Sequence, residues 1–293
     1  MSEIQHQRIK FKPEHEYLVM FYSDGCVFDN MELKHKECFI PNIIKHWSLQ
    51  PVSRYARAAA EFVNLYSKWR GINRFPALIK VLDLLKEWPA VQQKDIEIPE
   101  VFTLRKWVAT SDELSNSTLK EEISKTGDPV LKRALKWSEA VNATVADMVH
   151  GVPPFPKVKE SLQKLHTKAD IIVCSVTYSK ELRREWQEHD LAKYTRIIAG
   201  QEFGTKEMQI QFAAGNYPGN QVLMIGDAPG DLKAAHANKV LFYPIMPGQE
   251  EESWVRFHDE IIELFLAGKY NAKQENKFIE RFERNLPEVP PWK

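Results

Sequence analysis

Cysteine is scarce in this chain. Cys26, Cys38 and Cys174 are the three in 293 residues, too few and too scattered for a disulfide framework or a cysteine-based zinc site. They are expected as small reduced residues in a packed interior. Long apolar runs are missing as well, and none approaches the roughly 18 residues that a membrane span needs. Excess charge is also absent, because 40 Lys and Arg balance 40 Asp and Glu. That balance removes the basic footprint of a nucleic-acid or anionic-membrane binder. The nine histidines never recur at the four-residue spacing of a helical metal site, so they read as surface or packing residues. There is no internal repeat and no low-complexity stretch. The opening Met-Ser-Glu-Ile-Gln-His-Gln-Arg is polar and lacks the apolar centre of a secretory signal. The expectation is a cytoplasmic protein with no nucleic-acid and no membrane partner, in which the sequons at Asn116 and Asn142 carry no meaning.

What the chain does have is a segmented pattern. Its length suits one large or two modest domains with real cores. A short apolar run, Tyr17 to Tyr22, reads as a buried strand ending in the turn Ser23-Asp24-Gly25. About 120 helical-looking residues follow. Met31 to Trp47 and Ser53 to Trp69 carry apolar residues at three-and-four spacing, with Ser53 a plausible N-cap. Phe75 to Trp88 is closed by Pro89, and Asp128-Pro129 opens a helix to about His150. The linker Gly151-Val-Pro-Pro-Phe-Pro156 ends this block. Strands and helices then alternate: helix 157–167, strand 169–175, helix 179–189, strand 196–199, helix 205–214, strand 221–225, helix 229–238, strand 240–243. Such alternation predicts a parallel, doubly wound sheet with helices on both faces. Two further helices, Glu250 to Ala267 and Asn271 to Asn285, present apolar faces expected to pack on the core. The alternative use of those faces is a dimer contact, so the chain reads as a monomer or homodimer.

Polar residues gather at the predicted strand ends, where open α/β sheets bind ligands. Tyr17-Leu-Val-Met-Phe-Tyr-Ser-Asp-Gly-Cys-Val-Phe-Asp29 resembles the first motif of the haloacid dehalogenase superfamily, a hydrophobic run followed by Asp-x-Asp-Gly. Asp170-Ile-Ile-Val-Cys-Ser175 resembles the second motif, Lys206 the third, and Gly226-Asp227-Ala-Pro-Gly-Asp231 the acidic fourth. The order is that of the family. The resemblance implies a Rossmannoid core from residues 1–30 and 153–249, an all-helical cap over 31–152 and a helical C-terminal extension over 250–293 packed on the core. A cap of this kind closes over the strand ends, excludes water and contacts substrate.

The same resemblance implies residue roles. Asp24 would be the acid/base and, through its backbone carbonyl, a Mg²⁺ ligand. Asp227 would bind Mg²⁺ directly, with Asp231 behind it in the metal site, orienting a metal water or Lys206. Ser175 and Lys206 would clamp phosphate. Asp29, at the edge of the motif, reads as structural. In the helical block, Arg70 and Arg74 flank Gly71 and Asn73, where two guanidiniums could grip an anionic group of the substrate. An ordinary interhelix turn is the plainer reading.

The departure is Tyr22. It stands where the family has its attacking Asp. A phenol has an ordinary pKa near about 10, against about 3.9 for Asp. It offers Mg²⁺ no carboxylate, and its ring is far larger. Three readings stay open: a substitution one base away from a natural Asp, a naturally silent relative, or a motif register displaced by one residue. The function implied is a Mg²⁺-dependent phosphohydrolase of a small phosphorylated metabolite, impaired at Tyr22. The rival is a catalytically silent binding or regulatory protein on the same scaffold. The family's dehalogenase branch has no use for an acidic fourth motif.

Overall fold

The computed structural model describes residues 11–293; the polar opening read above lies outside the described residues. β1 (Tyr17–Tyr22) is buried at five of its six positions. The unbroken apolar run suits a strand covered on both faces. A tight loop follows it. Gly25 adopts φ 70°, a left-handed geometry that costs glycine least. The amides of Cys26, Val27 and Phe28 all turn back to the Ser23 carbonyl.

From Met31 to His150 the chain is helical. α1 (Ile40–His46) is entered through Met31–Leu33 and a π-helical turn at Lys34–Phe39. Next come α2 (Ser53–Asn64), α3 (Arg74–Glu87), α4 (Pro89–Gln92), α5 (Phe102–Thr110), α6 (Asn116–Thr126) and α7 (Pro129–Met148). The Asp128 side chain caps α7, accepting from the Val130 and Leu131 amides at 2.8 and 2.9 Å. Ser53 is not the expected cap. It is already helical, with φ −54° and ψ −39°, because a 3-10 turn at Gln50–Val52 runs straight into α2. α2 also stops at Asn64 rather than Trp69, where Ser67 and Arg70 side chains bond to the Val63 and Leu65 carbonyls and Gly71 turns with φ 78°.

After Gly151 the alternation appears as expected. It comprises α8 (Val158–Leu165), β2 (Ala169–Cys174), α9 (Ser179–Glu188), β3 (Ile197–Ala199), α10 (Lys206–Ala214), β4 (Val222–Gly226), α11 (Pro229–Ala237) and β5 (Leu241–Pro244). α12 (Glu250–Arg256) and α13 (Ile262–Leu266) are joined by a π turn, and α14 (Ala272–Asn285) follows. The described strands form one parallel sheet in the order β3-β2-β1-β4-β5. This is an α/β, doubly wound arrangement whose strand order reverses beside β1, the usual ligand crevice. An all-helical segment is inserted after the first strand, as the sequence predicts.

The chain divides into two compact units. The α/β unit holds the described residues up to Asn30 together with Gly151–Asn285, and the helical unit holds Met31–His150 together with Leu286–Lys293. The last eight residues therefore depart from the expected packing of all of 250–293 on the core. The reason is aromatic. Trp292 stacks on Trp88 at 4.1 Å with planes 1° apart, and meets Phe62 edge-on at 5.5 Å. The Lys68 amide donates to the Pro287 carbonyl at 3.3 Å. Trp292→Ala should lower stability by about 1–2 kcal/mol, the scale of a stacked aromatic pair plus its partial burial. Urea unfolding followed by far-UV circular dichroism checks this, and an unchanged midpoint would mean that the tail adds nothing. No described helix is long and apolar enough to cross a membrane.

Candidate active site

The register of the sheet sets the site. Tyr22, the last residue of β1, pairs with Cys174, and Phe21 pairs with Ile225. Ser175 and Asp227 are the next residues of β2 and β4. Adjacent strands lie about 4.8 Å apart, so Ser175, Ser23-Asp24 and Asp227 leave three neighbouring strand ends side by side. Asp24, Asp227, Asp231 and Lys206 all exert charge on the Tyr22 phenol. The structure thus brings together Tyr22, Asp24, Lys206, Asp227 and Asp231, with Ser175 on the neighbouring strand end.

Each carboxylate is held differently. Asp24 Oδ1 accepts from Asn30 Nδ2 at 2.6 Å, and Oδ2 accepts from Thr177 Oγ1 at 3.2 Å. Asn30 also accepts from the Gly25 amide and donates to Glu185 Oε1 at 3.1 Å. The loop carrying Asp24 is pinned from outside by two indoles, Trp186 Nε1 on Ser23 Oγ at 3.0 Å and Trp254 Nε1 on the Cys26 carbonyl at 2.7 Å. Asp231 stands in the first turn of α11. Its Oδ2 accepts from the Asp227 and Ala228 amides at 3.2 and 3.0 Å, a charge-assisted cap at the positive end of the helix. Its Oδ1 meets Lys206 Nζ at 2.6 Å. Both oxygens are therefore engaged, so Asp231 orients Lys206 and the loop and is not placed as a direct metal ligand. Gly226 makes this possible, since a Cβ there would fall 2.5 Å from Asp231 Cβ.

Lys206 begins α10, whose N-cap is Thr205. Its ammonium also lies 3.8 Å from the centre of the Tyr22 ring, within cation–π range. Burial alone would pull its proton affinity down; the Asp231 carboxylate outweighs that and holds it above the ordinary lysine value. Burial, opposed by Lys206 and helped by the three carboxylates, pushes the Tyr22 phenol well above its usual range. That shift favours the neutral phenol. Burial does the same to the Cys174 thiol, with Asp231 adding to it.

Ser175 sits in a rigid corner. Its amide donates to the Ala199 carbonyl and to Gln209 Oε1, and its Oγ accepts from the Thr177 amide at 3.1 Å. The hydroxyl keeps its own hydrogen to donate. Gln209, 1% exposed on α10, braces the corner, and its Nε2 reaches the carbonyls of Ser175, Gly200 and Gly204 at 2.9, 3.1 and 3.0 Å. Gln209→Leu should cost about 2–3 kcal/mol, because several buried backbone groups lose their partner at once. Chemical denaturation tests this, and a loss under about 0.5 kcal/mol would put the corner's rigidity elsewhere.

The two cap arginines belong to the helical unit. Arg74 Nη1 donates to the Ser138 carbonyl, Ser138 Oγ and Asn142 Oδ1 at 3.1, 2.9 and 2.7 Å. Burial without a carboxylate lowers its guanidinium to about 10. Arg70 is 3% exposed and bonds to the Leu65 carbonyl at 3.0 Å. Both help to build the helical unit, which favours the plainer of the two readings. Asp29 is exposed, and all three cysteines are buried and unbridged. Sequence reasoning missed Asn30, Thr177, Glu185 and Gln209. None carried a spacing signal, although Asn30 and Thr177 lie within six and two residues of motif positions.

Comparison with known proteins agrees with this geometry. Residues 100–244 match the family model for haloacid dehalogenase-like hydrolases. That span holds Ser175, Lys206, Asp227 and Asp231 and stops short of Tyr22. A candidate phosphoglycolate phosphatase from Lactobacillus delbrueckii subsp. bulgaricus superposes with TM-score 0.50 at 12% identity, over 88% of this chain and 99% of that one. A haloacid dehalogenase-like family hydrolase from Xanthomonas campestris gives TM-score 0.46 at 10% identity, covering 88% and 95%. A search of curated proteins found no match. Over residues 100–244 the chain is similar to haloacid dehalogenase-like hydrolases, and the solved structures share its fold.

The metal implied by that family can be tested against the donors present. Asp24 and Asp227 bring hard oxygens near Tyr22, the donor type that Mg²⁺ prefers. Asp231 is committed elsewhere, and among the described residues no group of three or more His, Cys, Asp or Glu is arranged to hold a metal. The donors fit the oxygen chemistry of Mg²⁺ in part.

Proposed function

We propose that this protein is a Mg²⁺-dependent phosphohydrolase scaffold for a small phosphorylated metabolite, impaired because Tyr22 stands at the attacking position. The observation that carries the reading is the built state of everything around Tyr22. The Lys206–Asp231 pair, the doubly held Asp24 carboxylate and the braced Ser175 corner form a costly polar set with no obvious purpose but anion chemistry. The likeness to solved structures argues for fold alone.

With a carboxylate at position 22, the residues divide the work as follows. That carboxylate attacks phosphorus while the bond to the leaving oxygen breaks, forming an acyl phosphate. Asp24 gives its proton to the leaving oxygen. It then takes one from the water that hydrolyses the acyl phosphate, which frees the carboxylate and phosphate. Asn30 and Thr177 hold Asp24 in line for both transfers. The Ser175 hydroxyl donates to a phosphoryl oxygen, and Lys206, steadied by Asp231, neutralises another. Mg²⁺ held by Asp24 and Asp227 would supply charge neutralisation between carboxylate and phosphate. In the chain as it stands, the first step has no nucleophile.

Calorimetric titration tests the binding half of this reading. Mg²⁺ should bind the chain weakly, with a dissociation constant of about 1 mM or above, because one carboxylate is missing and Mg²⁺ dehydrates reluctantly. Tyr22→Asp should tighten it by about tenfold or more. Micromolar Mg²⁺ affinity without substrate would contradict the assignment of Tyr22 to the metal side of the pocket. The second reading, a silent binding protein, is favoured by one observation: the Lys206 ammonium is seated on the Tyr22 ring, as in a pocket adapted to the phenol.

A further inference from the structure

A second cationic corner lies in the helical unit, where the C-terminal end of α1 meets α7. Lys45 and His46 end α1. From α7, Arg133 donates through Nε to the His46 carbonyl and through Nη2 to Ser48 Oγ at 2.8 Å. Its guanidinium lies 5.0 Å from the centre of the Trp47 ring. Lys136, three residues further along α7, shares the face of Arg133. We propose that this corner is a seat for a compact phosphate anion, separate from the Tyr22 pocket and independent of how that pocket is read.

Three observations support it. The charges that act on His46 are Lys45 from its own helix and Lys136 and Arg133 from α7, all of one sign. Burial first, and those three cations next, hold the imidazole below its ordinary range. Arg133 is likewise lowered by burial, with no carboxylate raising it. Among the described residues, no carboxylate acts on either group to offset these cations. Polar atoms are also left over. His46 Nε2 and Trp47 Nε1 are buried without a hydrogen-bond partner among the described residues, and Trp47 is only 1% exposed. Finally, Ser48 takes φ 57°, an uncommon geometry for a non-glycine residue, and its Oγ lies against the Arg133 fork.

The chemistry selects phosphate. A guanidinium held by one edge presents a planar fork that suits two phosphate oxygens. Two flanking ammoniums and an imidazole suit a group with two or more charges better than a single carboxylate. Three cations acting on one imidazole suit one phosphate group and not a nucleic-acid backbone, whose affinity needs many contacts in a row.

The test uses the full chain and inorganic pyrophosphate as probe, read by NMR at the His46 ring and the Trp47 indole. Bound pyrophosphate should raise the His46 titration midpoint and move the Trp47 indole N–H signal. Lys136→Gln, an exposed change that leaves packing alone, should weaken that response about three- to tenfold. Arg133→Gln should weaken it by tenfold or more. Lys206→Met, in the other unit, should leave it intact. An unmoved His46 midpoint at saturating pyrophosphate overturns the proposal. So does a response that survives both α7 variants, or one that vanishes with Lys206→Met.

Discussion

Tyr22→Asp should convert an almost inert chain into a Mg²⁺-dependent phosphatase. The expected gain on p-nitrophenyl phosphate is about 10³-fold or more, because residues that act as a unit around a nucleophile lose nearly all their effect without it. The remaining electrostatics give only residual acceleration. Geometry makes the gain plausible without repacking. Asp24 is held by Asn30 and Thr177, through bonds that do not involve Tyr22. Lys206 is held by Asp231 and would keep that partner when the Tyr22 ring is removed. The same variant separates the histories of Tyr22. Restored turnover means that the site has been kept for chemistry and that Tyr22 is a recent replacement. Silence on a broad panel of phosphorylated metabolites, with the fold intact, favours the binding or regulatory protein. Ordinary turnover by the unaltered chain, on the order of 1–10³ s⁻¹, lost on Asp24→Asn, would refute the reading of Tyr22 as a missing nucleophile.

The second large effect is on stability. Asp231→Ala should cost about 3–5 kcal/mol, the usual result of removing one partner of a buried ion pair. Asp231 is fully buried and the Lys206 side chain is 12% exposed, so solvent cannot take over the lost partner. Two amides at the start of α11 lose their acceptor as well. The loss should appear as a fall in Tm of roughly 10 °C, read by calorimetry. Combining Asp231→Asn with Lys206→Met should recover part of it, since the stranded charge is then gone. A double variant no more stable than Asp231→Ala would mean that the capping bonds, and not the ion pair, carry the effect. The pH dependence follows from Lys206. Its folded proton affinity is raised, so its contribution is complete below the unfolded lysine pKa of about 10.4 and declines only as pH rises through the higher folded value. The cost of Asp231→Ala should therefore be flat from neutral pH to about pH 9.

Much of the core was readable because its signals are local. Buried parallel strands appear as apolar runs, and Tyr17–Tyr22, Val222–Gly226 and, after Asp170, the rest of Ala169–Cys174 are such runs. The functional candidates sit at their ends, so strand order and register place them without knowledge of any side-chain contact. What was not readable depends on contacts distant in sequence. Gln209 looks like any polar residue on a helix until it is seen 34 positions away on Ser175. The bonds of Trp186 to Ser23 and Trp254 to Cys26 span 163 and 228 positions. Trp292 joins the helical unit because Trp88 and Phe62 offer it a face, which no periodicity announces. Arg74 attracted a functional reading because its neighbour Gly71 marks a turn, whereas its guanidinium bonds back across α7.

The most direct test of the missing nucleophile is to trap the acyl phosphate. In the combined Tyr22→Asp and Asp24→Asn variant, p-nitrophenyl phosphate has a leaving group good enough to depart without an acid, while hydrolysis of the intermediate lacks its base. Peptide mass spectrometry should then find one phosphoryl group, labile to hydroxylamine, on the carboxylate introduced at position 22. A phosphoryl group on any other residue, or none in a folded variant that binds Mg²⁺ and orthophosphate, would contradict the account.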